Sequence, residues 1–362
     1  MRVLITGVAG FIGFHVAKTL AQRGDTVIGV DNLNDSYDPQ LKKARLLQLG
    51  IMQQNFKNGA SVQSSRYPNL KFIKLDITLQ RSLVRVFDNH DIDAVCHLAA
   101  QAGNRNSLCN PHPCVQSNLV GFTNMLECTR HAGIKNFCYA SSASVYGLNK
   151  SSTNMVEHST NHPVSIYAAT KKSNELLAHT YSHLYGISTT GLRYFSVYGP
   201  WGRPDMAAML FTRSILSSES ITVYNRGDMW RDFTYIDDAV HATIAILDKP
   251  SQRDIEWQAD KPTPASSDAP FRLFNIGNSN PVRLGDFISY LEKTLGKEAI
   301  IHYKPAPKDE VIKTYADVRP LRDYIGNMPS TQLSDGILDF VTWYKSYHAQ
   351  HTWLQTSTQD AS

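Results

Sequence analysis

Residues 6–13 read "TGVAGFIG" and join an apolar run, "RVLIT" (2–6), to a helical pattern that extends from about Phe11 to Gln22. Gly7, Gly10 and Gly13 fall in this joint. Unpaired N–H groups and the helix dipole make the start of such a helix a place for phosphate. Glycines let the backbone turn tightly and come close to it. The spacing is G-x-x-G-x-x-G, not the G-x-G-x-x-G fingerprint of dinucleotide sites, so a plain strand–helix turn remains the competing reading. The next strand-like run, "VIGVDN", ends on Asp31, 18 residues after Gly13. A carboxylate there accepts hydrogen bonds from ribose hydroxyls and repels a 2′-phosphate, which points to NAD over NADP. Asp76, closing "FIKLD", is placed for the adenine end, unless it is a turn residue.

The alternation continues outward from this joint. "TVIGV", "LKFIKL", "IDAVCHLAA", "NFCYAS", "STTGLRYF" and "FRLFNIG" read as nearly continuous apolar strands. Helical stretches separate them, one of them near Val115–His131. Such strands are buried on both faces, the mark of a doubly wound parallel α/β sheet. Residues 35–69 form an ornamented crossover, with a mobile stretch expected near Asn58–Arg66. Residues 254–270 read as a surface loop, and late helices are expected near Leu284–Leu295 and Ser334–His348. The expected organisation is a Rossmann-type domain over 1–199, with 232–277 returning to it. A smaller, mixed α/β substrate domain over 200–350 is interleaved, and 353–362 form a polar tail.

Composition narrows the function classes. Of 362 residues, 42% are hydrophobic and 19% charged, which suits a folded enzyme-sized chain. A net charge of +4 without a Lys/Arg-rich run fits an anionic small molecule as well as nucleic acid, and no nucleic-acid partner is expected. No run is long enough to span a bilayer, and "MRVLITG" lacks the sections of a signal peptide, so a cytoplasmic chain is expected. Five cysteines without a C-x-x-C pair give no metal or redox motif; Cys96 and Cys138 are expected in the core.

"VSIYAATKKS" (164–173) places Tyr167 and Lys171 on one helical face. A tyrosine titrates near 10. A neighbouring ammonium and a cationic nicotinamide would lower that value, so a phenolate could take a proton from a substrate hydroxyl. Ser142, in "YASSASVYG", ends a strand where an open α/β sheet forms its ligand crevice, although serine-rich turns also occur for local reasons. Each piece alone is more often structural; their order along one chain is what suggests catalysis.

With these motifs the chain resembles the extended short-chain dehydrogenase/reductase family, and within it the nucleotide-sugar epimerases, most closely UDP-glucuronate 4-epimerases. The stretches that carry the resemblance include "NDSYDPQLKKARL", "TGLRYFSVYGPWGRPDMA", "RDFTYIDD", "NIGNSNPV" and "TYADV". The resemblance implies a bound NAD, held by Gly7, Gly10, Phe11, Ile12, Gly13, Asp31, Asn32, Asp76, Ile77, Leu98, Ala99, Ala100, Tyr167, Lys171 and Tyr194. It implies Tyr167 as base, Lys171 as its electrostatic partner and Ser142, with Ser144 behind it, as donor to the sugar O4. It implies a UDP-sugar substrate with Arg231 on the diphosphate, and Arg105, Ser196 and Arg203 near a uronate carboxylate. No metal is implied, and a homodimer is. Asn104, Asn106, Cys114 and Lys308 depart from the usual pattern near the sugar and nucleotide. A decarboxylase or dehydratase of the same fold, and an NAD-binding sensor, are the competing functions.

Overall fold

Alternation along β1 (Arg2–Thr6) sets up the layers. Val3 and Ile5 enter one apolar cluster and Leu4 the other, because successive strand side chains point to opposite faces. The computed structural model describes residues 1–305 and 312–356, without the side chains of residues 105, 106 and 350–356. After β1 come α1 (Phe11–Arg23), β2 (Thr26–Asp31), α2 (Pro39–Gln48), β3 (Ser61–Gln63), β4 (Leu70–Lys74), α3 (Gln80–Asp88) and β5 (Ala94–His97). Short helices α4 (Asn104–Cys109) and α5 (Pro111–Val115) lead through a π-helical turn, Gln116–Gly121, into α6 (Phe122–His131) and β6 (Asn136–Ser142). Then follow α7 (Ile166–Tyr185), β7 (Ser188–Tyr194), β8 (Ser196–Tyr198), α8 (Ala207–Leu216), β9 (Ser220–Tyr224), β10 (Trp230–Tyr235) and α9 (Ile236–Asp248). The chain continues through β11 (Phe271–Ile276), β12 (Pro281–Arg283), α10 (Leu284–Leu295), β13 (Ile300–Lys304), α11 (Arg319–Ile325) and α12 (Leu333–Thr356).

The main sheet has the order β11-β7-β6-β5-β1-β2-β4-β3. Helices α1, α2 and α9 feed the core on one face, and α3, α6 and α7 the core on the other. Each buried Leu, Ile or Phe side chain in these layers contributes roughly 1.5–3 kcal/mol. The chain moves outward from β1 through β2 and β4, then returns to β5 on the other side of β1. This reversal opens a crevice beyond the C-terminal ends of β1 and β5. Two small sheets have the orders β12-β10-β8 and β13-β9, and β8 and β10 reach the crevice with Ser196 and Arg231.

Two expectations are corrected here. The polar stretch 58–66 was read as mobile, but it holds β3, which pairs antiparallel with β4. Val62 is buried, the Ser64 hydroxyl donates to Leu49 O and accepts from the N–H groups of Arg66 and Tyr67, and Gln63 Nε2 donates to three carbonyls. Composition does not reveal such side chain–backbone pinning. The helix expected near Val115–His131 is present and continuous, with a π-helical turn at Gln116–Gly121 inside it. The final helix runs from Leu333 to Thr356, well past His348, so residues 353–356 continue it; 357–362 and Lys308 lie outside the described residues.

Helix α7 starts where the Ser165 hydroxyl accepts from Ala168 N–H (3.0 Å), and it ends at Gly186, in the left-handed region at φ 62°. Below its first turns lies a buried ion pair. Arg193 on β7 donates to Glu175 through Nε (2.8 Å) and Nη2 (3.0 Å), and Ser141 on β6 donates to the same carboxylate (2.7 Å). Removing one partner of a fully buried pair strands the other charge. Arg193→Met is expected to lower unfolding stability by about 3–5 kcal/mol. Adding Glu175→Leu should recover most of that loss. Urea unfolding of the two variants checks this, and a double variant as weak as the single one contradicts it.

Candidate active site

The loop after β1 is shaped for close approach. Gly7 has φ 75°, and a Cβ there would lie 2.8 Å from Ala99 N, at the end of β5. A Cβ on Gly13 would overlap the Gly7 carbonyl oxygen. Any other residue at either position closes the cradle. Helix α1 begins at Phe11 behind Gly10, with no side chain capping its first N–H groups. Those donors and the helix dipole are available to an anion.

The cradle opens into a cleft of about 530 Å³. Gly7, Gly10, Phe11, Ile12 and Gly13 line it, with Asp31 and Asn32 at the end of β2. Ile77, Leu98, Ala99, Ala100 and Tyr194 add largely apolar walls, and Tyr167, Lys171, Ser142, Ser144, Ser196, Arg203 and Arg231 also line it. Asp31 is buried and accepts from Ala9 N–H (3.1 Å) and Leu33 N–H (2.8 Å). A glycine cradle at a free helix start, with a carboxylate beyond it, fits a dinucleotide.

One expected residue lies just beyond this lining, and another is not described. Asp76 lies outside this cleft, in an adjoining recess that shares Asn32, Asn34 and Leu75. Its carboxylate accepts from Asn32 Nδ2 (2.8 Å) and from Thr78, so it acts first as a turn and strand-end anchor. Arg105 belongs to α4, but its side chain, like that of Asn106, lies outside the described residues.

The end of the cleft that holds Tyr167 and Lys171 is built on α7. Tyr167 N–H donates to the Ser107 hydroxyl (3.2 Å), and its side chain lines the cleft together with Ser142. The Ser142 hydroxyl accepts from Ser144 N–H and lies 3.1 Å from the Ser144 hydroxyl. Lys171 is almost fully buried, with Nζ donating to Ala140 O (2.7 Å) and standing 5.9 Å from the centre of the Tyr167 ring. The chain's own electrostatics work against the acidity expected of Tyr167, an expectation that also relied on a cationic nicotinamide. Burial pushes the Tyr167 phenol above its ordinary value, while the Ser142 hydrogen bond and the Arg203 charge act in the lowering direction. Burial also pushes the Lys171 ammonium down to about 8. The protein's own groups therefore keep the proton on Tyr167.

Arg203 reaches the same end. Its Nε and Nη2 donate to Asp205 (3.0 and 2.5 Å), and Nη2 also to Ala102 O (3.3 Å). Among the described residues Nη1 has no protein acceptor. Arg231, on β10, donates from Nη1 to the carbonyls of Trp230 (2.9 Å) and Ile312 (3.3 Å). Next to it Asp232, fully buried, accepts from the N–H groups of Asn278, Ser279 and Ala316. That one carboxylate gathers the separate stretches "RDFTY", "NIGNSN" and "TYADV" at the mouth of the cleft.

Several contributors escaped the sequence reading. Asn118, in the π-helical turn, holds Gln101 by both main-chain groups (2.8 and 3.1 Å) and donates to Thr170 Oγ1 (3.0 Å) on α7. A π-helical turn in this place signals such a demand, but only once the structure is known. Two positions that the sequence did single out as departures also take part: Asn104 accepts from Ser165, the residue that caps α7, and Cys114 packs buried beside Thr170. Tyr37 and Lys42, from the stretch before and within α2, line the cleft near Asp31. Lys42 and Arg45 stand three apart on one helix face, the one local signal that could have singled them out.

The sequence profile of the NAD dependent epimerase/dehydratase family matches residues 3–257. Protein CapI of Staphylococcus aureus is 48% identical over 348 residues, covering 96% of this chain and 99% of that protein. UDP-glucuronate 4-epimerase 1 of Arabidopsis thaliana is 41% identical over 357 residues, covering 97% of this chain and 78% of that protein. Among solved structures, the UDP-glucuronic acid 4-epimerase from Bacillus cereus, in complex with UDP-glucuronic acid and NAD, superposes with a TM-score of 0.80 at 31% identity. That match covers 96% of this chain and 100% of the other.

The Lys171 environment generates a direct test. In the protein free of ligand, one lysine is expected to lose its proton near pH 8, where ordinary lysines titrate near 10.4. Because the folded value lies below the unfolded one, stability conferred by the neutral amine grows as pH rises between these two values. NMR titration of labelled lysine side chains, with Lys171→Met for assignment, reads it. A Lys171 signal unmoved below pH 10 contradicts the account.

Proposed function

This chain belongs to the NAD dependent epimerase/dehydratase family, and on that premise we propose that it interconverts UDP-glucuronate and UDP-galacturonate at the sugar C4. An NAD-dependent UDP-sugar 4-epimerase type of reaction is the broader statement. The uronate is the finer reading. The observation that carries it is the guanidinium of Arg203, which acts on Tyr167 and keeps its Nη1 donors for a ligand. A substrate carboxylate within reach of Tyr167 accepts there, since Arg binds carboxylates in a planar, directional manner. Ser196, half-buried on the cleft wall, offers a hydroxyl to the same group.

Bound NAD supplies a hydride acceptor that can return the hydride. The chain does the rest. Ser142 donates to the sugar O4 and holds it against the phenol oxygen of Tyr167, with Ser144 supporting the Ser142 hydroxyl. Tyr167 takes the O4 proton as C4 is oxidised to a ketone, and returns it after the sugar has turned over and the opposite face is reduced. Lys171, pinned to Ala140 O, holds a positive charge beside the phenol and offers its remaining donors to the nicotinamide ribose. Gly7, Gly10 and Gly13 hold the pyrophosphate and Asp31 the adenosine ribose. Arg231 is assigned to the UDP diphosphate. A firmly held diphosphate lets the sugar rotate without leaving.

A 4-keto uronate is a β-keto acid, and it loses CO₂ once its carboxylate is free to align with the ketone. Arg203 opposes that alignment by fixing the carboxylate. On the outer side of α7, Leu176 and Leu184 are 59% and 60% exposed and lie on one stripe of the helix. We assign that stripe to a homodimer contact, which sedimentation velocity tests directly.

Purified protein given UDP-glucuronate should form UDP-galacturonate without added oxidant. UDP-xylose or a free keto sugar as main product would place the chain among the decarboxylases or dehydratases, and no turnover would favour an NAD-binding sensor. Tyr167→Phe should keep NAD bound and lower interconversion by roughly 10²–10⁴-fold. Equilibration of the two sugars by that variant at the normal rate excludes Tyr167 as the base. Arg203→Ala should release UDP-pentose beside the epimer, and a clean epimer at reduced rate contradicts the role given to Arg203.

A further inference from the structure

Arg45 is fully buried, yet it contacts no carboxylate among the described residues. All five of its N–H donors are occupied. Nε and Nη2 both donate to Trp201 O (3.1 and 2.7 Å), and Nη2 also donates to Gly202 O (3.3 Å). Nη1 donates to Ala9 O (2.9 Å) and to the Tyr37 hydroxyl (2.7 Å). One side chain thus ties the glycine loop, at Ala9, to the turn that immediately precedes Arg203.

That turn is under strain. Trp201 has φ 64°, a left-handed conformation that costs a bulky residue energy and persists only where its surroundings enforce it. Three elements hold it. Arg45, on α2, grips the Trp201 carbonyl twice. His15, on α1, is kept neutral by burial and donates from Nε2 to Pro200 O (3.0 Å). The indole packs between Phe14 on one side and Trp343 and Tyr347 of α12 on the other, at centroid distances of 5.6, 5.3 and 5.4 Å. The residue at the free end of this clamped segment, two positions after Trp201, is Arg203.

We infer that Arg45 is a positioning residue for substrate discrimination: by holding the Trp201 carbonyl and the glycine loop together, it fixes where the Arg203 guanidinium stands in the cleft. This rests on the reading of the site as one that accepts a uronate. Lysine cannot take over the task. Its ammonium has three donors around one point, whereas the guanidinium spans two loops in a rigid fork. The arrangement also explains the "YDPQLKKARL" stretch, in which Tyr37 and Arg45 meet side by side to complete the clamp.

The test compares the wild-type protein, Arg45→Lys, Arg45→Met, Arg203→Ala and the Arg45→Met/Arg203→Ala pair, each with UDP-glucuronate and UDP-glucose. NAD content and melting temperature are measured alongside. If Arg45 works through Arg203, Arg45→Met keeps its NAD and raises KM for UDP-glucuronate roughly tenfold to a hundredfold, the loss expected for a hydrogen bond to a charged group, with a much smaller change in kcat. Its preference for the uronate over UDP-glucose falls as in Arg203→Ala, and the double variant loses no more. Arg45→Lys, which keeps the charge, shows the same shift in preference, and it decides the matter if Arg45→Met does not fold. A lowered melting temperature with unchanged preference in Arg45→Lys overturns the inference, as do losses that multiply in the double variant. A wild-type protein without turnover of UDP-glucuronate overturns the uronate reading, and this inference with it.

Discussion

Glu175 and Arg193 face each other beneath α7 with side chains 1% and 0% exposed, and the position of that helix depends on the pair. Two charges taken so far from water are tolerated only in near-ideal geometry. The bidentate contact supplies it, and Ser141 satisfies a further lone pair of the carboxylate. One consequence is that α7 cannot slide over β6 and β7. A slip of one helical turn would carry Tyr167 and Lys171 about 5.4 Å along the cleft and break the pair. The same guanidinium lies 4.9 Å from the centre of the Tyr146 ring, whose hydroxyl donates to Asn275 on β11 (2.6 Å). Asn275 in turn donates to the carbonyls of Asn154 and Asp317. The ion pair is therefore linked from α7 across the sheet to the segments around Asn154 and Asp317.

A second constraint operates on the cofactor side. The glycine loop is positioned from below by Gly7 N–H on Val30 O (2.8 Å) and from the side by Thr6, whose hydroxyl accepts from Ala99 N–H. Arg45 then links it to the turn that bears Arg203. The strands supply a rigid base, and the long-range polar contacts settle how the two ends of the cleft stand relative to each other. Burial works against charge at the reactive end: the Tyr167 phenol is raised and the Lys171 ammonium lowered. A site with that bias gives up the Tyr167 proton only where positive charge lies close by, and Arg203 is one source of it within the chain.

Much of this was legible in the residues. Apolar runs separated by helical patterns gave the doubly wound sheet, and Tyr167 and Lys171 were placed on one face by their spacing alone. Asp31 was located by its distance from the glycine loop. The errors have a common cause. The 58–66 stretch is polar by composition yet ordered by Ser64 and Gln63, which bond to main chain that composition does not register. The acidity expected of Tyr167 ignored the cost of burial, which the sequence does not state.

Local chemistry is what the sequence determined: which segments form strands and helices, where glycine must stand, and which side chains share a helical face. These follow from backbone conformation and from periodicity over a few residues, and they need no knowledge of distant partners. The tertiary structure decided the pairings. Arg45 meets Trp201 156 positions away, Tyr146 meets Asn275 129 positions away, and Asp232 gathers main chain from two other loops. Such contacts exist only after the sheet has brought the strand ends together. A buried charge or a strained turn is stable only inside that finished arrangement, so its partners could not be read from the residues on either side.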